Sequence, residues 1–235
     1  MKHFIISVIL MLSTLMSFGQ KAKVKNLQNF ERKTIHFGFS LGVNSANLGV
    51  HRYPIKPLDS LMSINVVSDG GFNLGIVSEL HMGNHLGLRF VPTLIFAQRS
   101  MEFNFINPDK KAYMEERIIE STYLDFPLLL KYSSARLNNF AAYIIAGGKF
   151  SYDLASSEAV KNEEIAESII KIKKSTINAE VGIGTDFYLP YFKFSIEAKM
   201  SYAIRDALIH DATELSTPIE KILPKMFLLT FLFEG

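Results

Sequence analysis

Eight stretches of this chain alternate apolar and polar residues, and the segments between them run long, short, long, short, long, short, long. The stretches fall at about 34–43, 71–82, 86–99, 117–132, 140–154, 175–189, 192–205 and 225–234. The long segments are 44–70, 100–116, 155–174 and 206–224; the short ones are 83–85, 133–139 and 190–191. Period-two alternation places successive side chains on opposite faces of a strand. Tight turns on one side and long loops on the other are the habit of an antiparallel barrel that crosses a bilayer. The pattern therefore predicts an all-β fold, an eight-stranded antiparallel transmembrane β-barrel with short periplasmic turns and long extracellular loops.

The phase of each stretch sorts its residues. In the first, Ile35, Phe37, Phe39, Leu41 and Val43 share one face and His36, Gly38, Ser40 and Gly42 the other. In the seventh, Phe192, Phe194, Ile196, Ala198, Met200, Tyr202 and Ile204 oppose Lys193, Ser195, Glu197, Lys199, Ser201 and Arg205. Alternation alone does not say which face is outside, since a secreted barrel alternates too. Two features place the apolar face in lipid. The polar face carries Gly38, Gly42, Gly75, Gly87, Gly147, Gly182 and Gly184, small residues suited to a crowded lumen. The stretches also exceed the five or six residues usual in soluble strands and reach the roughly 9–11 that a transmembrane strand needs.

The lumen so defined holds Glu79, Asp125, Glu180, Asp186 and Glu197 against Arg89, Arg99, Lys131, Lys149, Lys193, Lys199 and Arg205. An eight-stranded barrel is just wide enough for side chains to fill. These charges are expected to pair into a plug, because an unpaired buried charge is costly.

Before the barrel, Met1-Lys2-His3, an apolar run from Phe4 to Met16 and Ser17-Phe18-Gly19 have the form of a secretory signal peptide. The expected division is 1–19 signal peptide, 20–33 a periplasmic N-terminal tail outside the barrel, and 34–235 the barrel in the outer membrane. Cysteine is absent, which excludes disulfides and a lipid on cysteine. With 25 basic and 23 acidic residues there is no concentrated basic footprint for nucleic acid.

The segment Glu120-Ser121-Thr122-Tyr123-Leu124-Asp125-Phe126-Pro127-Leu128-Leu129-Leu130-Lys131-Tyr132 resembles the Tyr-Leu-acidic-apolar-Pro-Leu-x-x-Lys-Tyr stretch of small outer-membrane barrels from Bacteroidetes. Residues 74–80, 86–92 and 231–235 resemble one branch of that family, PorT. The resemblance implies a non-enzymatic component of the type IX secretion system, tied in some relatives to gliding motility. It transfers no catalytic, cofactor or metal residue. The partners it implies are outer-membrane lipid and other secretion-system proteins met through the extracellular loops, with no cofactor and no nucleic acid. The alternative is an independent small barrel serving as an adhesin or envelope stabiliser.

Candidate sites are few. His81 and His85 are four apart, but they flank a turn and two ligands are too few for a structural zinc site. His210-Asp211 with Ser216 has no spacing that enforces a hydrolase triad. The first long segment is rich in apolar residues, including Leu48, Val50, Tyr53, Ile55, Leu58, Leu61, Met62, Ile64, Val66 and Val67, and Ile165, Ile169 and Ile172 in the third fall on one helical face. Exposed apolar patches mark interaction sites. These loops are expected to fold together as a cap, to present a docking surface, or both.

Overall fold

A computed structural model describes residues 24–30, 33–53, 61–106, 112–155, 171–210 and 219–235. Residues 1–19, the expected signal peptide, lie outside them. The strands are β1 (Ile35–Arg52), β2 (Leu61–Ser68), β3 (Gly70–His81), β4 (Leu86–Phe90), β5 (Thr93–Ile106), β6 (Ala112–Ser133), β7 (Phe140–Asp153), β8 (Ser175–Tyr188), β9 (Lys193–Ala203) and β10 (Ile219–Glu234). Every pairing is antiparallel, and β1 pairs with both β3 and β10, which closes the ring. Two breaks make ten segments of eight walls. Pro92 has no amide hydrogen for the ladder, and it separates β4 from β5 while its carbonyl accepts from Ile76 N–H at 3.0 Å. Asp69 separates β2 from β3 and donates its own amide to Gln98 O.

The apolar face points outward. Phe37, Ile76 and Ile183 are 63%, 67% and 65% exposed, too much for a core and suited to lipid. The polar face is the interior, where Arg89, Arg99, Lys131 and Lys193 are among the largest fully buried side chains.

Five strands, β1, β2, β5, β6 and β10, lie further outward than the alternation predicted. Segment 44–70 is largely strand, as β1 continues to Arg52 and β2 begins at Leu61. Likewise β5 and β6 reach Ile106 and Ala112, and β10 starts at Ile219. The cause is an inversion of the polarity code along a single strand. In β1 the outward residues change from Phe39, Leu41 and Val43 to Ser45, Asn47, Gly49 and His51. The inward residues change from His36, Ser40 and Asn44 to Ala46, Leu48 and Val50. In β10 the outward series Phe233, Phe231, Leu229, Phe227 gives way to Lys225, in register with Asn47 of β1. On β1 and β10 the wall below this level is built for lipid and above it for water, which sets the outer edge of the hydrocarbon on this side; on β2 and β6 the outward face above it still carries Val67, Met114 and Ile118.

Above the edge the interior is an apolar cluster of Leu48, Met101, Ile172, Ala207, Leu208, Ile219 and Ile222, with Val50, Ile64 and Val66 against it. Leu48, Val50, Ile64 and Val66 are therefore strand residues turned inward, not an exposed loop patch. Ile172 bridges Leu208, and Ala207 N–H donates to Ile222 O at 2.9 Å, so the segments after β9 and before β8 fold over the opening. Asp206 Oδ1 accepts from the amides of Leu208 at 3.0 Å and Ile222 at 2.8 Å. Ile55, Leu58, Ile165 and Ile169 lie outside the described residues.

Candidate functional site: a sealed lumen between two rims

Each lumen charge is placed by the strand phase that the sequence displays. Arg89 on β4 reaches Glu79 on β3 at 2.5 Å, Glu197 on β9 at 2.6 Å and Glu234 on β10 at 3.5 Å. Lys131 joins Asp186 at 2.8 Å and Glu79 at 3.4 Å; Lys193 joins Glu234 at 3.0 Å. Lys199 bridges Glu180 and Glu197, both at 3.3 Å. Lys149 then links Glu180 at 3.5 Å to Asp125 at 2.7 Å. The pairs form one connected chain running across the lumen.

Tyr143 sits at its centre. Its hydroxyl donates to Glu197 at 2.8 Å, and Lys131 Nζ lies 4.1 Å from its ring centroid. The neighbour that permits this is Gly184, where a Cβ would fall 2.3 Å from the Tyr143 ring. Ser195 donates to Asp186 at 2.6 Å. Such closure of donors and acceptors is what makes buried charge tolerable.

Arg99 stands apart from the chain. It donates to Ser121 Oγ at 3.2 Å and to Tyr123 OH at 2.9 Å. Beside it a cavity of about 20 Å³, lined by Arg99, Asp125, Lys149 and Asn178 among others, has room for one water. Arg205 is not in the lumen: it is exposed beyond the end of β9. Conversely, the sequence reading passed over Glu234, although its place between outward Phe233 and the terminus gives it the inward phase.

At the short-turn rim the tail is anchored through Asn26 and Phe30, while Val24, Lys25, Gln28 and Asn29 stay exposed. Phe30 is buried, stacks on His36 with centroids 3.8 Å apart, and meets Tyr188 and His81 edge-on. Lys193 Nζ lies 4.9 Å from its ring centroid. Asn139 binds the tail twice, accepting from Asn26 N–H at 2.8 Å and donating to Val24 O at 3.1 Å. Arg136 donates to Asn26 O and lies over the Tyr188 ring. Of the tail described, Phe30 alone is buried in the barrel mouth, and residues 24–29 run along its rim. Beside it a polar vestibule of about 410 Å³ ends on Glu79, Lys131, Asp186 and Lys193.

The two histidines of the turn serve separate contacts. His81 Nε2 is 3.7 Å from Glu79, whereas His85 Nδ1 is 2.9 Å from Ser133 O. His210 Nε2 is 3.0 Å from Glu220 O; Asp211 and Ser216 lie outside the described residues. Gly83, with φ of 114°, supplies the left-handed residue that this tight turn needs.

A closed ring of eight walls, apolar outside and ionic inside, defines a small transmembrane β-barrel of the outer-membrane type. Residues 18–208 match the family model described as an outer membrane protein beta-barrel domain, and the chain belongs to that family, with its place in the outer membrane. Among solved structures it is similar to the outer membrane protein OprG from Pseudomonas aeruginosa, at 13% identity and TM-score 0.39, over 85% of this chain and 91% of that one. It is also similar to Ail of Yersinia pestis in complex with the heparin analogue sucrose octasulfate, at 14% identity and TM-score 0.39, over 86% and 100%. The N-terminal β-barrel domain of Pseudomonas aeruginosa OprF is 9% identical, with TM-score 0.33, over 83% and 97%. No curated protein matches the chain.

Proposed function

We propose that this barrel is a non-enzymatic, PorT-like component of a Bacteroidetes type IX secretion system, acting through protein contacts at its two rims rather than by conducting a solute. The observation that carries the non-conducting part is the lumen: Arg89 alone ties together carboxylates from β3, β9 and β10. Opening a path would strip several buried charges of their partners at once. The secretion role rests on the resemblance of 120–132 and of the flanking strands. Deletion of the gene should abolish release of type IX cargo, read as the secreted-protein profile, and impair colony spreading where gliding occurs. Re-expression of the chain should restore both, and an unchanged profile in the deletion strain sinks the reading.

A second reading, an adhesin or envelope stabiliser, draws on the raised wall formed by the outer ends of β1, β2, β5, β6 and β10. Its outward face is mixed, with Asn47, Asn65, Glu102 and Glu116 interspersed with the exposed apolar Val67, Met114 and Ile118. This reading expects normal secretion with altered surface binding in the same deletion strain.

A further inference from the structure

The outer edge of the hydrocarbon is electrically lopsided. On the β5–β6 flank the outward positions at and above the edge include Glu102, Glu116 and Glu120, with Glu102 and Glu116 directly opposite each other and the apolar Met114 and Ile118 alternating with the glutamates on β6. On the β8–β10 flank the same level carries Lys173 and Lys174 just before β8, Arg205 just after β9, and Lys225 on β10 in register with outward-facing Tyr202. Basic residues that merely anchor a barrel have no reason to gather on one side.

Between the ends of β8 and β9 there is a cavity of about 220 Å³. Phe150 and Ile177, which pair in register and belong to the lipid-facing surface, line one part of it. Lys173 and Arg205 line the other, with the hydroxyl residues Ser175 and Thr176 between them. Asp206 also borders it and offsets one of the two cations; its Oδ1 accepts from the amides of Leu208 and Ile222 and its Oδ2 is 3.9 Å from His210 Nδ1. Lys173 Nζ donates to Asp206 O at 2.9 Å, which leaves two of its three hydrogens for a ligand. Nearby, Lys174 Nζ is 4.9 Å from the Tyr152 ring centroid, an arrangement that belongs to the interfacial belt of a membrane protein.

We infer that this cavity holds the phosphate-bearing headgroup of an outer-leaflet glycolipid, with its acyl chains lying on Phe150 and Ile177. The cavity is continuous with the lipid surface, which a soluble anion would not exploit. Its cations are the complement of a phosphate, and the acidic flank is where such a headgroup would be repelled. Cations at an anionic membrane surface act additively, so losing two is a large effect.

The test uses the full mature barrel in detergent micelles, with lipid retention read by native mass spectrometry. The probes are bisphosphorylated lipid A, the same lipid after enzymatic dephosphorylation, and free inorganic phosphate. The wild-type barrel should retain the phosphorylated lipid and release the other two. The double variant K173Q/R205Q should bind the phosphorylated lipid roughly tenfold more weakly, the charge reversal K173E/R205E should lose it, and Glu116→Gln on the other flank should behave as wild type. Equal retention of the dephosphorylated lipid, equal binding of free phosphate, or unchanged binding by both double variants would each overturn the inference. The three substituted side chains, Lys173, Arg205 and Glu116, are away from the buried ion chain, and folding of each variant is checked by heat-modifiable gel mobility.

Discussion

At the residue scale the molecule turns on Arg89. It is fully buried and ties three carboxylates from three strands, so its loss leaves Glu79, Glu197 and Glu234 short of a cation. Truncating one member of a buried ion pair costs about 3–5 kcal/mol, chiefly because the stranded partner stays buried. Arg89→Met should therefore lower the free energy of unfolding, read from urea denaturation in micelles, by an amount in that range. A loss under about 1 kcal/mol, the scale of surface pairs, would mean that water reaches the network. The individual lumen charges were legible in the sequence because strand phase alone assigns Glu79, Arg89, Lys131 and Lys193 to one face. Their partners were not, since Glu197 lies far from Arg89 along the chain and only barrel closure brings them together.

At the element scale two features escaped the alternation for a physical reason. The outer half of β1 has Leu48 and Val50 inward and Asn47 and Gly49 outward, the reverse of the membrane half. A single-phase reading of apolar-outward strands ends where the phase flips and leaves the remainder as loop. Lipid-attached quenchers check the boundary. Fluorophores on cysteine introduced at Leu41 and Val43 should be quenched strongly, and those at Asn47 and His51 weakly. Equal quenching at all four would move the bilayer edge to the strand tips.

The tail is the second such feature, for one aromatic in a basic stretch has no periodicity to betray its seat. Phe30→Ala should cost about 3 kcal/mol, the low end for a buried phenylalanine. It should also expose His36, which stacks against that ring and is 1% exposed. Faster modification of His36 by diethylpyrocarbonate in the variant is the expected result. An unchanged rate would show that the mouth stays shut at His36 without the Phe30 ring.

At the scale of the whole molecule, the ion chain fills the middle of the lumen and the apolar cluster around Leu48, Met101 and Ile222 fills its outer end, while Phe30 covers the part of the short-turn rim beside the vestibule. Planar-bilayer recordings of the wild type, and of Phe30→Ala, should show no stepwise conductance. A stable open channel in Phe30→Ala would mean that the ion chain conducts, and that the barrel is gated by its tail.

The pairing of β1 with β10 extends from Gly38 opposite Glu234 to Arg52 opposite Ile219. That seam joins the first strand made to the last, and Glu234 stands one residue from the C-terminus. Until it docks, Lys193 and Arg89 each lack one of their carboxylates. Zipping the final strand and neutralising the interior are thus a single assembly step. A barrel lacking Glu234 would have a nearly complete wall and an unbalanced middle, so the strand pairing that closes the ring also completes the charge balance inside it.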